Sequence, residues 1–292
     1  MLSVIIPTLE RTTPLKRLLD SLSRQTALPG EIIIIDENND DRTLPIRREF
    51  DKILPLKHAQ IETVSISAAK NRGVALSSGE LLFFCDDDAW LPTDFVEETL
   101  QFFFRFPETS ILSLPVVDPS KEIHTAGGKE GPAPLTLKNA RKLSTGSGLV
   151  FRRESLISLG LFDEDLGVGS TFESSEDLDI VLRAISRGMN VVHWEGTCVY
   201  HADPLRNYDE VSRKRAYRYN RGFGACVRKH LLEGNREIIF EFLAEASKNL
   251  LNSVLYIPIN YEKAAYNYFS FLGKVNGFFS YSPGGNAVTK GR

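Results

Sequence analysis

Cysteine is scarce in this 292-residue chain. Cys85, Cys198 and Cys226 are too few and too scattered for a disulfide framework or a zinc ribbon, and an odd count suits a reducing compartment. No run of about 18 uncharged apolar residues occurs, so no membrane-spanning helix is expected. The apolar start, Met1 to Ile6, has no basic flank and meets Pro7 at once, so it does not read as a signal peptide and the expected location is cytoplasmic. There is no basic excess: a net charge of −3 and a pI near 6.0 argue against a nucleic-acid partner. Glycine shows no period and 42% of residues are hydrophobic, which excludes collagen-like and disordered chains.

What is present is an alternation of buried strands and amphipathic helices. Ser3 to Ile6 reads as a strand stopped by Pro7. A helix follows, with Thr13 as its cap, Pro14 in its first turn, and Leu15, Leu18, Leu19 and Leu22 on one face. Glu31 to Asp36 (EIIIID) is uniformly apolar until its last residue, the pattern of a parallel strand covered on both faces. Helices are predicted over 67–78, 94–106 (capped by Thr93) and 176–187, and strands over 81–85, 111–117, around 150–151, 190–194 and 197–201. This repetition indicates a doubly wound α/β domain. Residues 118–143 have no period, and a loop of that length is usually functional. From Pro204 helical periodicity dominates to about Phe279, split by Pro258. The expected division is a domain over 1–203 and a helical extension over 204–292, with 284–292 as a frayed tail. Between Pro204 and His230 there are eight Lys/Arg against two Asp/Glu.

The sharpest chemical feature is Asp86-Asp87-Asp88, directly after the apolar Leu81–Cys85 run. Ligands of doubly wound sheets bind outside the carboxyl ends of the strands. Three adjacent carboxylates repel one another there, and a hard divalent cation such as Mg²⁺ or Mn²⁺ relieves that cost. A solvated acidic turn is the simpler alternative. Asp36 ends its strand in the same way; it can accept from a ribose or base, or start a turn with Asn38 and Asn39. Glu176-Asp177 opens a helix after a Gly/Ser-rich approach; the acids can serve the helix dipole or supply a general base. His201 ends a strand and gains interest only if it faces the triplet. The basic run over 213–221 is a solvated helix face or an attractor for phosphate or an anionic membrane surface.

The blocks SVIIPTLER, IIIID, AAKNRGVALSSGE, FFCDDDAW, TGSGLVFRRE, GLFDEDLG and SEDLDIVLRAISRG, in this order, resemble family-2 glycosyltransferases over residues 1 to about 205. The resemblance implies a GT-A fold, a Rossmann-like doubly wound mixed sheet. It implies transfer of a sugar from a nucleotide diphosphate donor to an acceptor hydroxyl in polysaccharide or glycoconjugate synthesis. It implies that Pro7, Thr8, Glu10 and Arg11 lie near the donor, that Asp36 contacts base or ribose, and that Lys70 approaches the nucleotide. Asp86 and Asp88 match the ends of a D-x-D motif that embraces Asp87; the first would lie near the ribose and the second would hold the divalent metal on the diphosphate. Asp177 matches the usual catalytic base, with Glu176 beside it. His201 falls where some members have a metal- or diphosphate-binding histidine. Gly146, Ser147 and Gly148 would line the donor-sugar or acceptor side.

This chemistry is self-consistent. The departing nucleoside diphosphate gains negative charge that a cation stabilises, while a carboxylate must take the proton of the attacking hydroxyl. Base and metal on opposite sides of the anomeric carbon imply a single displacement with inversion. Leu9 and Glu10, the 37–41 run ENNDD and Lys70 depart from the common pattern at the nucleotide end; UDP is the leading carrier and GDP or dTDP stay open. The C-terminal helices suit a lid, a membrane-surface contact at the inner face of the cell membrane that meets a lipid-linked carbohydrate acceptor, or a homo-oligomer contact. The competing classes are a non-catalytic nucleotide-sugar-binding or scaffold subunit and a nucleotidyltransferase. The latter usually has a Gly-rich phosphate loop after the first strand, and residues 6–11 contain no Gly.

Overall fold

A computed structural model describes residues 1–62, 65–121, 131–202 and 207–283. The chain forms two compact units, Met1–Phe162 with Arg183–Asp203, and Asp163–Leu182 with Pro204–Arg292. The Glu176-Asp177 pair therefore belongs to the same unit as the C-terminal helices.

In the first unit, β1 (Leu2–Thr8) is buried throughout and leads to α1 (Thr12–Ser23), which buries the predicted leucine stripe. β1 runs through Pro7 rather than stopping before it. Its pairing with the neighbouring 81–84 strand ends at Ile5, so Pro7 has a partner on one side only, the position where a missing N–H is tolerated. The α1 cap position is Arg11, without a side-chain cap, and Thr13 lies inside the first turn instead of capping it. β2 (Glu31–Asp36) is buried throughout, as predicted. α2 (Leu44–Phe50) and β3 (Leu56–Gln60) follow; neither was expected, because LKHAQ is a half-exposed strand with no apolar run. α3 (Ile66–Leu76) is capped by Ser65, whose Oγ accepts from Ala68 N–H. β4 (Leu81–Phe84) and α4 (Phe95–Arg105) pack through Phe83 and Phe95, ring centroids 4.7 Å apart. Asp94, not Thr93, occupies the α4 cap position. The single strand expected over 111–117 is two, β5 (Ile111–Ser113) and β6 (Val116–Val117), with Pro115 between them.

β7 (Ala133–Pro134) and α5 (Ala140–Leu143) give structure to part of the expected 118–143 loop, whose residues 122–130 lie outside the described set. β8 (Leu149–Arg152) and α6 (Arg153–Ser158) come next. α7 (Glu176–Ser186) begins in the second unit, and β9 (Val191–His193) and β10 (Val199–Tyr200) complete the first. The main sheet has the order β3-β2-β1-β4-β8-β5-β9-β7, and β10 pairs with β6 in a small second sheet. β3, β2, β1 and β4 are parallel, so their carboxyl ends share one edge. β8 runs antiparallel to both β4 and β5.

At the opposite edge the buried Glu31 carboxylate pins four segments. It accepts from Ser3 Oγ, Lys57 Nζ and Ser78 N–H, each at 2.5 Å, and from Gly79 N–H at 3.2 Å. Burial pushes its pKa up, but these donors outweigh it and hold the group at about 2.

The second unit contains three further helices, α8 (Glu210–Leu232), α9 (Ile238–Leu255) and α10 (Tyr261–Ser280), separated near Gly234 and Pro258. Asp209 and Asn260 cap α8 and α10 through the N–H groups of Ser212 and Lys263, interactions worth about 1 kcal/mol each. α8 and α10 approach so closely that a Cβ on Gly273 would lie 2.3 Å from Tyr217 O and one on Gly277 1.9 Å from Arg221 O. The expected tail over 284–292 lies outside the described residues.

Candidate active site

The carboxyl ends of β1, β2, β3 and β4 share one edge, and a cavity of about 610 Å³ opens beside those of β1, β2 and β3. Its lining includes Leu9, Glu10, Glu37, Asn38, Arg42, Gln60 and Ile61. Glu10 adopts a left-handed backbone (φ 62°), and its N–H donates to Asn38 Oδ1 at 2.8 Å. A non-glycine residue held this way is a strained position maintained by its surroundings.

Asp36 is 1% exposed and its carboxylate is engaged within its own turn. Oδ1 accepts from Asn38 N–H and Nδ2, and Oδ2 accepts from Thr43 Oγ1 and lies 3.1 Å from His58 Nε2. Despite burial, these contacts keep it below the usual carboxylate range. Its neighbour Glu37, which sequence reasoning missed, lines the cavity together with the expected Glu10. Glu37 accepts from Ser65 N–H at 2.7 Å, yet burial, with Asp87 and Asp36 nearby, pushes its pKa up to about 7.

At the end of β4 the three aspartates have distinct surroundings. Asp87 is buried, accepts from Thr8 Oγ1 at 2.7 Å, and lies 3.1 Å from Arg11 Nη1; burial raises it to about 6. Asp86 accepts from Ser147 Oγ, in the turn Gly146–Gly148 just before β8. That turn needs glycine at 148, where a Cβ would lie 2.4 Å from Leu114 O. Asp88 pairs with Arg11 and lies 3.1 Å from His201 Nε2. Although burial opposes it, His201 and Arg11 hold Asp88 below its ordinary pKa, and the hydrogen bond to Asp88 raises that of His201.

Backbone pairing explains why a residue 113 positions away reaches Asp88. Trp90 and Tyr200 exchange two N–H···O bonds of 2.9 Å, which delivers the next residue, His201, to the aspartates. Ligand atoms of Asp86, Asp88 and His201 all lie within 4.8 Å of one another. Two carboxylate oxygens and an imidazole nitrogen form a donor set that fits Mg²⁺ or Mn²⁺.

Other expected residues are placed differently. Pro7 is buried inside β1. Lys70 is buried in α3 with its ammonium 4.9 Å from the Phe162 ring centroid, and it does not line the cavity among the described lining residues.

In the second unit Glu176 is buried and Asp177 half-buried, in the first turn of α7. The approach is contorted: Gly167, Gly169 and Ser175 have φ of 97°, 84° and 73°. The same turn carries Asp179, fully buried, whose Oδ1 lies 2.8 Å from Lys229 Nζ and 3.1 Å from His230 Nε2. Lys229 also reaches Asp163 at 2.6 Å. Asp179, Cys226 and His230 could be read as a second metal cluster, but the Lys229 ammonium already meets the Asp179 charge.

Comparison with known proteins matches residues 3–160 to the model described as Glycosyl transferase family 2. The chain belongs to that family. Its fold is GT-A. It is 26% identical over 204 residues to the poly(ribitol-phosphate) beta-N-acetylglucosaminyltransferase TarS of Staphylococcus aureus, covering 68% of this chain and 35% of the relative. This chain thus spans about a third of that relative's length. It is 30% identical over 196 residues to the uncharacterized glycosyltransferase YwdF of Bacillus subtilis, covering 63% and 67% of the two chains. S. aureus TarS 1-349 in complex with UDP-GlcNAc superposes with a TM-score of 0.62 at 18% identity, covering 92% and 90%. The mannosyltransferase PcManGT of Pyrobaculum calidifontis, in complex with GDP-Man and Mn2+, gives 0.63 at 17%, covering 94% and 86%. No helix among the described residues is long and apolar enough to cross a membrane.

Proposed function

We propose that this protein is an inverting, divalent-metal-dependent glycosyltransferase that moves a sugar from a nucleotide diphosphate donor, UDP first among the candidates, to a hydroxyl of a carbohydrate or lipid-linked carbohydrate acceptor. The observation that carries this reading is the convergence of Asp86, Asp88 and His201 at the carboxyl edge of the sheet, where β1 and β2 also deliver Thr8, Arg11 and Glu37. Relatives named for sugar transfer, and structural neighbours solved with UDP-GlcNAc and with GDP-Man and Mn2+, support it.

In this reading Asp88 and His201 would hold the cation and Asp86 would lie near the ribose; the cation, when bound, would supply charge stabilisation for the departing diphosphate. The 610 Å³ cavity receives the base and ribose, with Glu37 and Asn38 at its polar wall. Asp36 keeps the turn that presents them. Ser147 orients Asp86, and Arg11 offers a second positive charge to the diphosphate. Asp177 accepts the proton of the acceptor hydroxyl as it attacks, a contribution of about 10²–10⁴ in rate. Glu176 and Asp179 sit in the same helical turn, and the Lys229 bridge fixes that turn.

The decisive test is Asp177→Asn. Turnover should fall by about 10²–10⁴ while metal-dependent nucleotide binding, measured calorimetrically, is kept. Unchanged turnover removes Asp177 from this role; wild-type protein that binds nucleotide but never turns over points to the non-catalytic subunit.

A further inference from the structure

The last 89 residues carry an excess of positive charge. From residue 204 onward there are fourteen Lys/Arg against seven Asp/Glu, although the chain as a whole is net −3. The same segment carries an apolar surface that the packing of its helices does not use. α9 buries Ile238, Phe242 and Ala246, yet its opposite face is also apolar: Phe240 is 72% exposed, Leu251 and Val254 59% each. The turn into α10 continues this surface with Ile257, Ile259 and Tyr261, the last two 76% and 72% exposed. Charged side chains of α9, Glu241, Glu245 and Lys248, fall off this stripe to one side at helical spacing. A continuous apolar surface of this kind marks an interaction site.

The neighbours of the turn narrow its occupant. Lys263 Nζ stands 3.8 Å from the Tyr256 ring centroid, and Arg213 on α8 reaches Glu262 at 3.7 Å. α8 continues from Arg213 with exposed Lys214 and Arg215; Lys214 pairs with Glu210, and Arg215 lies over the Tyr219 ring. The cations beside the apolar turn, Arg213, Lys214, Arg215 and Lys263, outnumber the acids, Asp209, Glu210 and Glu262. A second copy would set this basic margin against itself. An anionic bilayer supplies the opposite charge together with an apolar medium for the isoleucines and an interfacial level for the tyrosines.

We propose that the outward face of α9 and the 256–261 turn dock in the interfacial layer of an anionic lipid bilayer, with α9 lying in the surface rather than crossing it. The assignment of this docking as the route to a lipid-linked acceptor rests on the transferase reading; the docking itself does not.

The test is co-flotation of the full chain with vesicles of phosphatidylcholine alone and of phosphatidylcholine with phosphatidylglycerol, at low and high salt. Two variants accompany it: Ile257→Asp with Ile259→Asp on the exposed turn, and Lys214→Glu with Arg215→Glu. Nucleotide binding is measured on every sample, so a failed donor site and a failed docking surface are read separately. The expected result is binding to the anionic vesicles that weakens with salt and drops at least tenfold in either variant, with nucleotide affinity unchanged. Absence of vesicle binding by the wild type, binding indifferent to both variants, or a light-scattering dimer dissolved by the isoleucine pair overturns the proposal, the last in favour of a second copy.

Discussion

Arg11 sets one guanidinium nitrogen against both Asp87 and Asp88, 3.1 Å from Oδ1 of the former. The chain thus brings its own cation to the acid triplet, and the remaining negative charge belongs to Asp86 and the outer side of Asp88. Removing that cation should make the triplet more dependent on an external one. Arg11→Ala is expected to cost about 1 kcal/mol, because the guanidinium is half exposed. The gain in melting temperature on adding Mn²⁺ should be larger in the variant than in the wild type. An equal gain in both separates Arg11 from the metal site.

Asp88→Ala and His201→Ala should each weaken Mn²⁺-dependent binding of nucleoside diphosphate at least tenfold, as losses in metal shells generally do. Ser147→Ala, which removes only the hydroxyl on Asp86, should have a smaller effect. Calorimetric titration of UDP and GDP with and without Mn²⁺ checks all three. Full retention of the metal dependence in His201→Ala would exclude the imidazole as a ligand.

Glu37 introduces a pH dependence of stability. Its folded pKa of about 7 lies above the ordinary glutamate value, so the folded state holds more protons than the unfolded one between those limits. Stability from this group is fully present below the unfolded value and is lost as pH rises through about 7. Glu37→Gln should flatten the fall in melting temperature between pH 5 and pH 8, two conditions that bracket the titration. Thermal melts across that interval decide it; parallel curves for the two proteins refute the assignment.

Lys229 bridges Asp163 and Asp179 while almost wholly buried. Lys229→Met leaves two carboxylates facing each other and is expected to destabilise by about 3–5 kcal/mol, the range for breaking a buried pair. Lys229→Met combined with Asp179→Asn should recover part of that loss in a denaturant titration. An additive double variant would mean that the bridge contributes no coupling.

Much of the first unit is written locally. Leu81–Phe84 and Glu31–Asp36 are apolar runs ended by acids, while the approach of His201 to Asp86 and Asp88, which the sequence raised only as a condition, depends on the pairing of Trp90 with Tyr200. What escaped has a physical cause in each case. β3 is an edge strand that needs no apolar run. Asp36 and Glu37 are adjacent acids, and only the turn held by Asn38 and Thr43 decides which one turns inward. The Asp179–Lys229 bridge joins residues fifty positions apart, and no spacing rule announces it.

The reversed direction of β8 has an architectural consequence. Because β8 opposes β4, it is the entrance of this strand, at Ser147, and not its exit, that stands beside Asp86. Between β6 and β8 the chain contributes β7, paired with β9 at the edge of the main sheet, before the Gly146–Gly148 turn brings Ser147 to Asp86. The Asp86 carboxylate is thereby steered by a residue 61 positions further along the chain, whereas the partner of Asp87, Thr8, comes from the adjoining strand β1.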